Sequence, residues 1–500
     1  MPTKYKFLLL KYKSKPSLKN CPTFVLYKDS WDDYTHKVKF HLEYFDEDGN
    51  RDYIGAVKIL ERTAKTGTTI QVLKNTTLEE SFMRLGPSYI SLGQGDDYYT
   101  NIYDLFPNDA KEILLLLNDV AIDPELGISF EASPAFRNAL ARENGAQRSR
   151  RFGFALASGE KINERSAFSY AGAIVGASEE VEAHFDFDDN DPIPGRIVAI
   201  IGRNAVGKTQ FLAKLGEDLA QLSRTSNKSI KRRDFRFSGD RPLYTRVIAI
   251  SYSAFDKFKR PAPDSTFSYV YCGIRNDKGS LSLVSLDRTY RENIRRVRKR
   301  GLEEAWVDHM RCIFGDSSND LIEQLLSELD ADELEKNSLT LLSSGQSVLT
   351  HLVTALLAWI QPNTMVLFDE PETHLHPNAV ASLLVVLSNI LKDYDSYAIV
   401  ATHSPVVIQE VPAKRVLVFQ RDENTTTAQT LEMESFGESV TELTKQVFET
   451  IDVESVYRGA LKKLARIESI EEALSRFDLG LSISAEAYLL AQYTKKESKK

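Results

Sequence analysis

Gly202-Arg203-Asn204-Ala205-Val206-Gly207-Lys208-Thr209 has the spacing G-x-x-x-x-G-K-T. Glycines at both ends let the backbone curl until its N–H groups face inward, which suits a chain of phosphates. The apolar run Ile197-Val198-Ala199-Ile200-Ile201 before it reads as a strand. Gln210-Phe211-Leu212-Ala213-Lys214-Leu215 after it has helical spacing. A loop set between a strand and a helix N-terminus adds the positive end of the helix dipole. In such a loop Lys208 reaches the β- and γ-phosphates and Thr209 holds Mg²⁺. Arg203, Asn204, Ala205, Val206 and Gln210 complete the expected contact set, so the spacing predicts a site for ATP with Mg²⁺.

Met365-Val366-Leu367-Phe368-Asp369-Glu370 is an apolar strand ending in two acids. In phosphoryl transfer one such acid serves the metal and its neighbour polarises the attacking water. Asp369 is assigned to Mg²⁺ and Glu370 to the base. Ala398-Ile399-Val400-Ala401-Thr402-His403 is a second strand, and its terminal histidine is a third candidate catalytic residue. Alone, His403 would read as a core or capping histidine. Between the loop and these strands lies Leu342-Ser343-Ser344-Gly345-Gln346, then Leu349, Leu352, Val353, Leu356 and Leu357 at helical spacing. Ser343 and Ser344 stand where an N-cap belongs, so this helix start is either a second anion site or simply a capped end.

These motifs need a scaffold that brings three strand ends and two helix starts together. The 500 residues are ample for two to four domains. A hydrophobic share of 42% and a charged share of 27% fit a folded globular chain. Apolar runs such as Ile113-Leu114-Leu115-Leu116-Leu117 are far too short to cross a bilayer, and no membrane partner is expected. Cys21, Cys272 and Cys312 lie far apart without metal or disulfide spacing, which predicts a reducing, cytoplasmic setting. Residues 1–175 read as a β-rich then helical region. Val38, Phe40, Leu42 and Tyr44 share a face, Asp48-Gly49 turns the chain, and Tyr53, Val57 and Ile59 continue the alternation. A helical pattern runs from Asp104 to Val120, and 142–180 reads as a polar connection. Residues 176–430 alternate strand and helix, with a helical insert at about 215–335, and 431–500 read as a helical tail.

The motif order over roughly 181–420 resembles the ABC-type ATPase heads shared by transporter cassettes, SMC proteins and RecF. That resemblance implies an α/β fold: a mixed sheet flanked by helices, with a helical insert lobe. Leu342 to Gln346 is similar to the ABC signature, with Ser344 in place of its usual glycine, and His403 matches the switch histidine. The resemblance also implies at least a dimer of heads, in which Ser343, Gly345 and Gln346 of one head meet the γ-phosphate held by Lys208 of the other. The glutamine expected after the strand Arg246–Ile250 is absent, and Ser253 or Asp256 is the nearest substitute. No adenine contact is assigned. Phe185 and Phe187 could stack on the base, but their alternation with acids points to a strand core.

Glu370-Pro371-Glu372-Thr373-His374-Leu375-His376-Pro377 is similar to the heads of the RecF and overcoming-lysogenisation type. His374 and His376 suit turn and subunit packing better than a metal. Ser251 to Asp256, Ala401 to Pro412 and Phe436 to Val440 resemble the ATPase subunit of Septu-type anti-phage systems, whose relatives accompany some retrons. That family implies a separate HNH nuclease subunit as partner. The alternatives are a RecF-like DNA-repair ATPase and a slow-turnover scaffold stabilised by ATP.

Three basic islands stand out on a chain of net charge −8. Arg288, Arg291, Arg295, Arg296, Arg298, Lys299 and Arg300 form one, within 288–300. Arg224, Lys228, Lys231, Arg232, Arg233 and Arg236 form another, within 224–236, and Arg148, Arg150 and Arg151 a third. Such islands suit a nucleic-acid backbone, a solvated face or an acidic partner chain. No nuclease motif is visible, so any cutting belongs to another chain.

Overall fold

The computed structural model describes all residues except 1–3, 13, 31–35, 64–70, 132, 163–166, 190, 223–226, 254–255, 262–267, 274–282, 316–317, 328–341, 449–455 and 498–500. Arg224, Ala254, Phe255 and the end of the insert therefore lie outside the described residues. The architecture is mixed α/β, and the chain divides into two units, 1–438 and 439–500.

The first unit opens with a six-stranded sheet ordered β5-β1-β2-β3-β4-β6. Its strands are β1 (Phe7–Leu10), β2 (Thr23–Lys28), β3 (Lys39–Phe45), β4 (Arg51–Glu61), β5 (Ser81–Phe82) and β6 (Tyr89–Gly93). Val38, Phe40 and Leu42 are fully buried on one face, and Tyr44 packs partly buried against the same core. Gly49, at φ 80°, closes the turn, and Asp46 accepts from the N–H groups of Asp48 and Asn50. Tyr53 departs from the expected face. Leu42 pairs with Gly55 but Glu43 with Tyr53, so Ile54 is an extra residue in β4. The bulge flips the alternation. Ile54 is buried and Tyr53 is 47% exposed.

The helices Asp96–Leu105 and Ala110–Leu116 cover this sheet. The stretch read as a polar connection holds the helix Asn144–Leu156, with Asn144, Arg148 and Ser149 buried. Its polar residues hid the pattern because Asn144 and Arg148 find partners inside. Arg148 pairs with Asp96 at 2.5 Å, and Asn144 donates to Leu219 O at 2.8 Å.

A three-stranded sheet, β10-β7-β8, follows, from β7 (Ala167–Gly172), β8 (Val181–Asp186) and β10 (Phe237–Ser238). The β7–β8 hairpin spans residue 175, where the sequence placed a boundary. The central sheet has seven strands, ordered β12-β11-β13-β14-β9-β15-β16. They are β9 (Ile197–Gly202), β11 (Arg246–Ser251), β12 (Tyr269–Gly273), β13 (Thr364–Asp369), β14 (Tyr397–Thr402), β15 (Val416–Asp422) and β16 (Thr425–Thr430). All neighbours are parallel except β15 and β16. Every residue of β9, β11, β13 and β14 is buried, as expected for parallel strands covered on both faces. The helix Lys208–Leu219 shares one core with the three-stranded sheet through Phe211, Leu212, Leu215 and Leu219.

The insert is helical in part. Residues 237–273 return β10, β11 and β12 to the sheets, and the helices Leu283–Lys299, Glu303–Phe314 and Asn319–Ser327 follow. The first two pack on the helix Ser344–Trp359, whose Leu349, Leu352, Val353, Leu356 and Leu357 are buried. Trp306, fully buried, donates its indole N–H to Thr354 Oγ1 at 2.8 Å. The second unit begins with the helix Val440–Phe448 and has its own small core of Leu461, Ala465, Ala473 and Leu489 among the helices Val456–Ile467, Ile470–Ser475 and Ile483–Glu497. Among the described residues no helix is long and apolar enough to cross a membrane.

Trp306 is the pin between the insert and the helix that begins at Ser344. Trp306→Ala should lower stability by about 3–5 kcal/mol through the cavity and the unpaired Thr354 hydroxyl. Denaturant unfolding measures this, and a loss under about 1 kcal/mol would mean the two helices pack independently.

Candidate functional site

Strand order decides the site. β9, β14 and β13 are consecutive in the sheet and parallel, so their C-terminal ends open on one edge. β9 delivers the phosphate loop, β13 delivers Asp369 and Glu370, and β14 delivers His403. Two loop glycines are required by geometry. A Cβ on Gly202 would fall 2.4 Å from Phe419 O, and one on Gly207 would fall 2.4 Å from Ile174 Cγ2. Gly207 also sits at φ 100°, in the left-handed region, as the N-cap of the helix Lys208–Leu219.

Lys208 is buried, and its Nζ donates to Gly202 O at 2.8 Å and Arg203 O at 3.2 Å. Burial pushes its pKa down, while Glu370, Asp369 and Glu372 oppose that shift. Thr209 Oγ1 donates to Asp369 Oδ1 at 2.9 Å and ties the loop's helix to β13. Asp369 is fully buried, and its Oδ2 has no hydrogen-bond partner. Burial, the largest cause, pushes its pKa up to about 7; Thr209 and Lys208 pull it down, and Glu370 and Asp256 add to the rise. An orphaned carboxylate oxygen beside a threonine hydroxyl fits Mg²⁺, which takes one or two protein oxygens and fills its shell with phosphate and water.

Glu370 stands in the left-handed region at φ 51°, held by its N–H to Ala401 O at 2.7 Å. That conformation is costly for a non-glycine residue and is typical of functional sites. His403 Nδ1 lies 3.6 Å from Glu370 Oε1 and 3.1 Å from Glu372 Oε1. Glu370 raises the imidazole pKa above its ordinary value, burial opposes this, and Glu372 adds to the rise. His403 in turn holds Glu370 below the usual carboxylate range. Sequence reasoning gave Glu372 no role. Its only signal was its place two residues beyond the candidate base.

Lys208, Thr209, Asp369, Glu370 and His403 thus converge. The signature segment keeps to itself. Ser343 Oγ accepts from Gln346 N at 3.3 Å and Gln346 Oε1 accepts from Ser343 N at 3.0 Å, which is a full capping box. Gly345 faces the His374–Leu375 turn, where an added Cβ would lie 3.4 Å from His374 O. Arg203 and Asn204 are exposed on the loop. Gln210 accepts from Val175 N at 3.0 Å through Oε1. Phe185 and Phe187 are core residues, against Phe168 and Tyr397 respectively. Asp256 is committed to Phe258 N and Arg260 of its own loop and to Tyr271 of β12. His376 accepts from Asn378 N and caps the helix Pro377–Asp393. Among the described residues no cluster of three His, Cys, Asp or Glu could hold a metal.

Much of the 288–300 island faces inward partners. Arg296 stacks on Trp359 at 3.8 Å, Arg298 donates to Leu326 O, Arg300 donates to Ile360 O and Arg291 pairs with Asp287. Arg288, Arg295 and Lys299 are exposed, and so are Arg296 and Arg300 while they make these contacts. In the 224–236 island Arg233 is buried against Asp234 and Arg236 pairs with Asp218. In the third, Arg148 is buried against Asp96.

Residues 285–409 match a family model described as "AAA domain, putative AbiEii toxin, Type IV TA system". The match takes in Ser343, Asp369, Glu370 and His403, and the phosphate loop lies outside it. Protein ea59 of Escherichia phage lambda is 27% identical over 516 residues, covering 94% of this chain and 95% of that one. The SMC head domain from Thermotoga maritima is 13% identical at a TM-score of 0.30, covering 54% of this chain and all of that one. The ADP conformation of an ATP-binding cassette of an ABC transporter is 14% identical at a TM-score of 0.29, covering 59% of this chain and all of that one.

An acid whose pKa rises on folding holds its proton more tightly when folded. The stability this adds is present below the unfolded value, near 3.9, and is lost as pH climbs through about 7. Asp369→Asn removes that buried charge and keeps the oxygen that Thr209 needs. Without nucleotide the variant should be more stable than the parent at pH 8, by roughly 1–3 kcal/mol, with the gap closing toward pH 5. Mg²⁺-ATP should no longer raise its melting temperature. A variant that melts lower at pH 8 would show that Asp369 is stabilising as an anion.

Proposed function

We propose that this chain is an ABC-type ATPase head that binds and hydrolyses ATP. The observation that carries the reading is the convergence of Lys208, the Thr209–Asp369 pair, Glu370 and His403 at the ends of three adjacent parallel strands. The AAA-domain match over 285–409 supports it independently. The loop N–H groups and Lys208 hold the phosphates. Thr209 and Asp369 are the residues that would hold Mg²⁺, which would supply positive charge beside the phosphate oxygens. Glu370 accepts the proton of the attacking water, and His403 donates toward the terminal phosphate.

The finer reading is that two heads close on each other and that closure regulates a separate effector, an HNH-type nuclease, in anti-phage defence. Ser343, exposed at a helix start, is the residue presented to a second head. The relative spanning nearly the whole chain comes from a phage, which suits a part in contests between phages and their hosts. Arg288, Arg295 and Lys299 are the island residues offered to nucleic acid or to the effector.

Lys208→Ala should weaken ATP binding about 10²–10³-fold, because the phosphates lose their main counter-charge. Glu370→Gln should keep binding and lower turnover about 10²–10⁴-fold, as for loss of a general base. Nucleotide binding and phosphate release on the purified chain measure both. Turnover in Glu370→Gln close to wild type would place the base elsewhere. The chain alone should cut neither DNA nor RNA in Mg²⁺ or Mn²⁺, and cleavage that survives Lys208→Ala would overturn the division of labour with an effector.

A further inference from the structure

Glu372 carries an unusual load. It lies in the turn after β13, between two residues with left-handed backbone, Glu370 at φ 51° and His374 at φ 68°. Its side chain is 10% exposed. One oxygen, Oε1, collects three donors: Thr402 Oγ1 at 2.6 Å, His403 N at 2.8 Å and His403 Nδ1 at 3.1 Å. Thr402 Oγ1 itself accepts from Ser404 N at 2.9 Å, so its own proton goes to Glu372. The other oxygen, Oε2, is buried with no hydrogen-bond partner. Buried polar atoms are rarely left this way without a functional reason.

The distances around His403 Nδ1 supply that reason. Glu372 lies within hydrogen-bond range, whereas Glu370 Oε1, at 3.6 Å, lies beyond it. A single Nδ1–H satisfies one acceptor, and which acceptor it takes sets where the opposite nitrogen, Nε2, points. We propose that Glu372 is the positioning residue that captures His403 Nδ1, aims Nε2 at the nucleotide and limits the imidazole's hold on the Glu370 carboxylate. This rests on the ATPase reading above. Without the charge on Glu372, the nearest carboxylate for Nδ1 is Glu370. A base engaged by an imidazole is a poorer acceptor for the water proton.

Glu372→Gln is the test, since the amide keeps the size and an accepting oxygen for Thr402 and the His403 backbone. It should lower kcat about 10–100-fold, the worth of one hydrogen bond to a charged group, and leave KM near wild type. In a His403→Gln background the same change should cost nothing further. A full additional loss there would assign Glu372 to holding the backbone and overturn the proposal. A second arm needs no turnover. In protein labelled with ¹⁵N-histidine, with the signal assigned through His403→Gln, Glu372→Gln should shift the His403 ring nitrogens. An unmoved signal would also overturn the proposal. A wild-type chain that binds ATP without hydrolysing it, yet shows the ring shift, would sink the ATPase reading and leave the positioning intact.

Discussion

A carboxylate buried out of reach of solvent is the constraint on which this site is built. Asp369 lies at the end of a strand buried on both faces, and among the described residues its side chain takes a hydrogen bond from Thr209 alone. That bond joins the first turn of the phosphate loop's helix to β13, across the strand that separates β13 from β9. The uncompensated oxygen makes ionised Asp369 unfavourable until a cation faces it. The charge state of Asp369 and the geometry of the loop are therefore coupled. Lys208, 6% exposed, has the complementary problem: burial opposes its charge, and the acids of the neighbouring strand ends oppose that. The nearby charges ease the cost of burial without cancelling it, since Asp369 still rises and Lys208 still falls.

The parts of this arrangement that could be read in the sequence are those in which chemistry and element lie in one continuous stretch. The phosphate loop needs a strand before it and a helix after it, and apolar runs show both. Asp369, Glu370 and His403 were visible because fully buried parallel strands are apolar until their ends. Their convergence follows from strand order, which the sequence does not print. Glu372 escaped notice because its partners, Thr402 and His403, lie 30 residues away on another strand. The capping box at Ser343 was legible because all of its atoms lie within four residues.

A charge run does not say what each of its side chains touches, and the reason is physical. An arginine carries several donors at the end of a long apolar stem, so it can cap helix carbonyls or lie on an indole while its neighbours face water. Arg300 reaches Ile360 O at 2.7 Å, at the end of the helix that Ser343 begins, and Arg296 covers Trp359 in its last turn. Composition counts these residues as free charge, whereas the fold uses them to fasten the insert to the motif helix. Tyr53 shows the same limit in a sheet. One extra residue in β4 inverts the alternation, and nothing in the spacing announces it.

The far end of the phosphate-loop helix explains why residues 1–160 belong to the same unit as the head. That helix begins at Lys208, over the loop, and ends at Leu219, whose carbonyl accepts from Asn144 Nδ2 at 2.8 Å and from Arg241 at 2.7 Å. Asn144 N also donates to Ser268 Oγ, just before β12, and Ser268 is held by Glu143 at 2.7 Å. These groups are buried, so each bond broken without replacement costs about 1–3 kcal/mol. Burial pushes Arg241 down to about 9. A helix clasped at its C-terminus by the N-terminal lobe and bonded at its N-terminus to Asp369 cannot tilt at one end alone. Any nucleotide-driven change in the loop must either be absorbed within the first turn or carry the lobe with it.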